Sequence, residues 1–302
     1  MFKSKNSMSR ALVRRETTAG YLFLLPSLFF FVTFVLYPMF LCLYTSFFDS
    51  NMGKNAVDVF VGLGNYKELF QDKLFLGALK NTVVIVVVAV PTVCAFSLWV
   101  ATAIYDMKPA LTSAFRCIFY LPVVTGSVAV TVVWKWMYNS RYGVFNYLFK
   151  SFGIIDQNIN WLGDARFALW CIILILFTTS VGQPIVLYVS ALGNVDHSLV
   201  EAAQVDGANR RQVFWKIKWA QIMPTTLYIL IITTINSFQC FALIQLLTSG
   251  GPTHSTDTIM YYIYYTAFKL YRYGYGNAMG VVLMVIIAVL SAVQFKLGQQ
   301  SD

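Results

Sequence analysis

Apolar residues gather along the chain into six runs, separated by stretches that are polar or rich in Gly, Asn, Tyr and Trp. Each run approaches or exceeds the ~20 residues that a helix needs to cross the hydrocarbon core of a bilayer. The pattern predicts an all-α membrane protein with spans at about 21–47, 79–104, 116–138, 166–192, 222–247 and 276–297. The first run follows a basic, polar tail and has Pro26 and Pro38 inside it or at its margins, which membrane helices tolerate. It is too long for the core of a signal peptide and lacks a small-residue cleavage site, so it counts as a span. The expected organisation is a tail (1–20), a six-span domain (21–297) with a polar insert at about 193–221, and a second tail (298–302).

Composition agrees. Hydrophobic residues make up 58% of the 302 positions and charged ones 12%, about half the charged fraction of a soluble domain. A net charge of +9 raises nucleic acid as a partner. The basic residues are scattered through the loops of a membrane protein, however, so anionic lipid or a cytoplasmic protein is the better partner, and no nucleic acid is expected. Cys42, Cys94, Cys117, Cys171 and Cys240 fall singly in or beside apolar runs, which reads as packing and supports neither a disulfide framework nor a metal site. His197 and His254 lie far apart in polar loops and read as solvated.

Six spans put both termini on one side. Lys3, Lys5, Arg10, Arg14, Arg15, Lys108, Arg116, Arg210, Arg211, Lys216, Lys218 and Lys296 fall on that side, twelve of the 22 Lys and Arg. Their density in the tail and short loops places both termini and the insert in the cytoplasm.

Catalytic chemistry is hard to find. The Gly53-Lys54 pair lacks the upstream glycine and the Ser or Thr of a phosphate loop. No HExxH or GxSxG occurs, and the spans contain no evident carboxylate or histidine for a proton relay and no basic group for an anionic solute. No catalytic residue is expected. The spans do carry neutral polar side chains. Thr233, Asn236, Ser237 and Cys240 are spaced i, i+3, i+4 and i+7 on one helical face. Ser180 and Gln183 lie one turn apart beside Gly182 and Pro184, where a bend is expected. Such groups in hydrocarbon need partners, so they face the bundle or a wet cavity. Interhelical hydrogen bonding accounts for any one of them. Two adjacent spans with such faces favour a path for an uncharged, hydroxyl-rich solute.

The insert reads "EAAQVDGANRRQVFWKIKW" over 201–219. Its Glu201, Ala202 and Ala203, with Gly207 six residues after Glu201 and Ile217 ten beyond that, resemble the EAA motif of ABC importer permeases. The extended "EAAQVDGA" is similar to the carbohydrate-uptake branch that includes the maltose and glycerol-phosphate permeases. The segments "FLLPSLFFFVTFVLYP", "GLGNYKELF", "ALKNTVV", "YLPVV", "WLGDARFAL" and "LTSGGPTHSTDTIMYYIYYTAF" resemble it too, in family order, over about residues 20 to 297. The resemblance implies that Glu201, Ala202, Ala203, Asp206, Gly207 and Ala208 form a coupling loop that docks in a cleft of a separate ATPase, with Arg210 and Arg211 at the rim. Small alanines suit close approach, and a glycine costing about 1 kcal/mol in a helix interior reads as a break between two short helices.

The resemblance also implies partners: a second homologous permease, two ATPase subunits that hold ATP and Mg, and an extracytoplasmic sugar-binding protein. It implies alternating access in the cell (inner) membrane of a bacterium or archaeon, with no cofactor in this chain. The sugar would sit midway across the membrane, where the polar faces of spans 4 and 5 lie. One departure stands out. The motif usually ends I-x-L-P, and here Ile217-Lys218-Trp219-Ala220 lacks that proline while Pro224 keeps a later one, which leaves the bend between insert and span open. The alternatives are an ABC permease for another solute, such as a glycerol phosphodiester or a peptide-like compound; a channel or carrier that needs no ATPase; and, last, a membrane enzyme.

Overall fold

A computed structural model describes residues 3–50 and 58–299. The Gly53-Lys54 pair and the last residues of the second tail lie outside that range.

Helix α1 (Lys3–Phe31) passes through a widened π turn at Val32–Leu36 into α2 (Tyr37–Thr45). The widening directly precedes Pro38, whose missing N–H and bulky ring disturb the regular ladder. A two-residue antiparallel ladder follows, β1 (Phe48–Asp49) against β2 (Val59–Phe60), with Phe48 opposite Phe60. Helix α3 (Gly64–Gln71) leads to α4 (Lys73–Ile104), which begins six residues earlier than hydropathy alone suggests. Its start is set by Asp72, whose carboxylate accepts from the Leu74 amide at 2.8 Å.

Among the described residues five helical stretches are long and apolar enough to span a membrane, and counting a bent pair, α5 (Pro109–Val124) and α6 (Ser127–Met137), as one broken span gives six. The two meet at 94°, so the run expected at 116–138 is not one straight helix. Pro122 withdraws a ladder donor. Thr125 and Gly126 then take extended conformations, and the Thr125 hydroxyl turns back onto the Leu121 carbonyl at 2.9 Å. Beyond the bend, α7 (Val144–Ser151) packs over an aromatic cluster in which the buried Asn146 accepts from the Trp161 indole N–H at 3.0 Å.

Span 4 is α8 (Ala168–Ser180) followed by α9 (Gly182–Gly193), interrupted at Val181. The insert folds as α10 (His197–Val205) and a turn. Its second half is α11 (Arg210–Val213), which continues through a π turn at Phe214–Lys218 into α12 (Trp219–Phe238). Half of the insert is therefore the base of span 5. Ala220 lies within helix, and the chain passes that point without a break. After α12 come α13 (Ala242–Leu247), α14 (Ile259–Tyr264) and α15 (Tyr273–Gln299).

Helix α4 is the spine. Ile85, Ala89, Val93, Ser97 and Ala101, spaced four apart on one face, are all fully buried. They pack against α8, α9 and α12. In hydrocarbon no hydrophobic gradient drives that association, so close packing and interhelical hydrogen bonds must do it. The first span contrasts with this. None of its most apolar window is buried within the chain, which leaves it to lipid or to another subunit.

Candidate functional site

A cavity of about 150 Å³ lies between spans 4 and 5. Thr179, Ser180, Gln183 and Pro184 line one side, and Tyr228, Ile229, Thr233 and Asn236 the other. Local chemistry explains the first wall. Pro184 has no N–H to offer the Ser180 carbonyl one turn back, and the helix opens at Val181. The opening leaves Ser180 and Gln183 on the cavity side. The second wall is ordinary helix geometry, since positions 229, 233 and 236 share a face of α12.

Four of the six expected path residues, Ser180, Gln183, Thr233 and Asn236, thus border one cavity. Ser237 and Cys240 do not line it. Ser237 is buried elsewhere in the packing, and Cys240 joins the core against α8. The helical spacing that grouped Cys240 with Asn236 fails because α12 ends at Phe238. Two polar lining residues escaped the sequence reading. Thr179 returns its hydroxyl to its own helix at the Ile175 carbonyl, 3.0 Å away. Tyr228 is half-exposed, and its apolar neighbours hid its place on the polar face.

A second cavity, open and about 450 Å³, shares Gln183 and Leu187 with the first and is bordered by Arg116 and Tyr120 of α5. The sequence placed Arg116 beside a loop and found no basic group in the spans. The structure differs. Arg116 lies nearly two turns inside α5, with its Nε shielded from solvent and without a hydrogen-bond partner.

The insert is built from caps. Asp196 accepts from the Ser198 amide (2.9 Å) and hydroxyl (2.7 Å) to begin α10. Glu201, Ala202, Asp206 and Gly207 are exposed, and Ala203 and Ala208 are half-buried. The helix closes with Ala208 N–H donating to the Ala203 carbonyl at 2.9 Å and Asp206 N–H to that of Ala202 at 3.0 Å. Gly207 takes φ +83°, the left-handed residue that such a closure requires. Asn209 and Gln212 then form a reciprocal capping box that starts α11. Glycine and box together supply the break expected between two short helices.

Two hydrogen bonds tie this loop to the spans. Gln221 of α12 accepts from the Asp196 amide at 3.1 Å, and Lys218 donates to the Tyr105 hydroxyl just past α4. Val205 is 88% exposed, an apolar side chain in the open on α10.

The opposite end of the bundle is closed by polar contacts. His254 is not simply solvated, for its ring meets the buried Asp257 carboxylate at 2.7 Å; burial pushes the Asp257 pKa up. Asn81 of α4 donates to the Ser255 and Asp257 carbonyls, both at 3.0 Å. His197, also expected in a loop, is the first residue of α10. Among the described residues no group of His, Cys, Asp and Glu is arranged to hold a metal.

Comparison with known proteins places this geometry. The model for binding-protein-dependent transport system inner membrane components matches residues 70–300. The probable ABC transporter permease protein YesP of Bacillus subtilis is 33% identical over 288 residues, 94% of this chain and 91% of the relative. The lactose transport system permease protein LacF of Rhizobium radiobacter is likewise 33% identical, over 94% of this chain and 95% of its own. Among solved structures, a chain of a bacterial alginate ABC transporter, in complex with an alginate pentasaccharide-bound periplasmic protein, matches with a TM-score of 0.80. That match covers 93% of each chain at 24% identity, a likeness of fold. The chain belongs to the binding-protein-dependent transport system inner membrane component family: it is a multi-pass ABC importer permease.

Proposed function

We propose that this permease imports a sugar or oligosaccharide, forming half of the translocation pore beside a second, homologous permease. Two ATPase subunits, which hold ATP and Mg, dock on α10 from the cytoplasm, where both chain termini lie. An extracytoplasmic sugar-binding protein delivers the solute at the other face. ATP-driven closure of the ATPases moves α10. Because α11 and α12 form one continuous helical rod, that motion reaches the cavity wall through span 5. Solute and nucleotide must favour different conformations for the cycle to turn.

The observation that carries the sugar is the cavity lining. Ser180, Gln183, Thr233 and Asn236 offer hydroxyl and amide groups that both donate and accept, which suits a solute covered in hydroxyls. The lactose permease at 33% identity supports the same class. Arg116 beside Gln183 favours a second reading, an acidic solute such as a glycerol phosphodiester.

The test is ATP-driven uptake by the assembled complex in liposomes, with candidate neutral and acidic sugars competing. Asn236→Leu should lower sugar-stimulated turnover several-fold while the complex still assembles. Unchanged dependence on sugar concentration would return Asn236 to a packing role, and competition by acidic solutes alone would select the second reading.

A further inference from the structure

The buried stripe of α4 has one polar member. Ser97 stands between Val93 and Ala101, fully buried, and its hydroxyl donates to the Val181 carbonyl at 3.3 Å. Val181 is the residue at which span 4 opens. Its carbonyl also accepts from the Ile185 amide at 3.1 Å, so Ser97 fills its second acceptor position. The far side of the opening is held as well. Gly182 rests directly on the backbone carbonyl of Phe119 in α5, leaving no room for a Cβ. Phe96, the neighbour of Ser97, sits edge-on to Phe177 of α8 (5.1 Å between centroids) and to Phe119 (6.3 Å).

We infer that Ser97 is a positioning residue for the solute path: its hydroxyl clamps the opening at Val181 and so fixes the direction in which Ser180 and Gln183 face the cavity. A proline-opened helix has freedom to swivel where its ladder is interrupted. In hydrocarbon no water competes for the carbonyl, so a single hydroxyl from a rigid neighbouring helix is the means at hand to select one orientation. The residue type fits the task. Alanine would pack there but leave the second acceptor position of the carbonyl empty, and a larger apolar side chain would force α4 away from α9. The inference rests on the proposed path for its consequence in transport. The clamp itself is geometric and can be tested alone.

The experiment places spin labels, carried on unnatural residues so that the native cysteines stay, at Trp170 and Ser190 in the intact complex; both positions are exposed, one on each side of the opening. The distance distribution should broaden in Ser97→Ala and stay narrower in Ser97→Thr, which keeps the hydroxyl at the cost of one added methyl. In liposomes, Ser97→Ala should raise the half-saturating sugar concentration about threefold, the worth of one hydrogen bond between membrane helices, with little change in maximal rate. An unchanged distribution in Ser97→Ala, or a Ser97→Thr as broad as Ser97→Ala, would overturn the clamp. A broadened distribution with normal uptake in both Ser97→Ala and Gln183→Leu would keep the clamp and remove the path reading instead.

Discussion

Asp72 ties three helices together at the end of the bundle away from the insert. It caps α4 and accepts from the hydroxyls of Tyr262 (2.7 Å) and Tyr275 (2.9 Å). Burial opposes its charge, but the two tyrosines and the amides of Leu74 and Phe75 outweigh it and hold the carboxyl below its ordinary value. A carboxyl lowered by folding adds stability that is fully present above its unfolded value, about 3.9, and is lost as pH falls through the folded value. Asp72→Asn should therefore melt lower than the native complex at pH 7, by about 1 kcal/mol of stability. The gap should narrow as the pH falls below the ordinary carboxylate value and close once the folded carboxyl is protonated. Melting curves across that range check the sign, and a gap that widens in acid would exclude this account of Asp72. At this scale the sequence was informative where one helix carried the pattern. Thr233 and Asn236 were legible as cavity-lining residues because they share a regular stretch of α12, and Ser180 and Gln183 because Pro184 marks the interruption beside them. Cys240 was misplaced because nothing in "NSFQCF" announces that the helix ends at Phe238. Arg116 was misplaced because a charge at the edge of a hydropathy window reads as a loop residue.

At the scale of elements, the proposed coupling loop depends on the left-handed turn at Gly207. A side chain there meets open space, so substitution strains only the backbone, by about 1–2 kcal/mol for most residues and less for Asn or Asp. Gly207→Asn should keep most ATP-driven uptake. Gly207→Asp has nearly the same shape but adds a negative charge at the proposed dock, and should abolish uptake while the chain still inserts in the membrane. Normal uptake by Gly207→Asp would remove the coupling role from this turn. The turn was readable in advance, since a glycine inside an otherwise helical segment has a conformational cost that demands a reason. The 94° bend at Thr125–Gly126 was not. Both of its arms are apolar, and hydropathy records composition rather than direction. The continuity of the insert with span 5 was also hidden, because the charges of "RRQVFWKIK" look like a loop even where the backbone is helical.

The whole molecule fits the proposed role of one half of a pore. The most apolar window of its first span is uncovered, and Gln183 borders both the cavity between spans 4 and 5 and a second, open one lined by Arg116. A lone spanning bundle of this kind would present polar groups to lipid at a cost of several kcal/mol for each unsatisfied group. A second permease facing this one would cover them. The fold class and number of spans were legible because bilayer thickness dictates the length of each apolar run. The shape of the cavity was not, because it comes from helix openings and contacts between residues far apart in sequence. The most direct measurement is to tag the chain, purify it gently from native membranes and weigh what accompanies it. An ATPase and a second six-span chain in stoichiometric amounts are the expected result. Recovery of the chain alone, with transport intact in liposomes lacking ATP, would contradict the account and leave Glu201 to Ala208 without their assigned role.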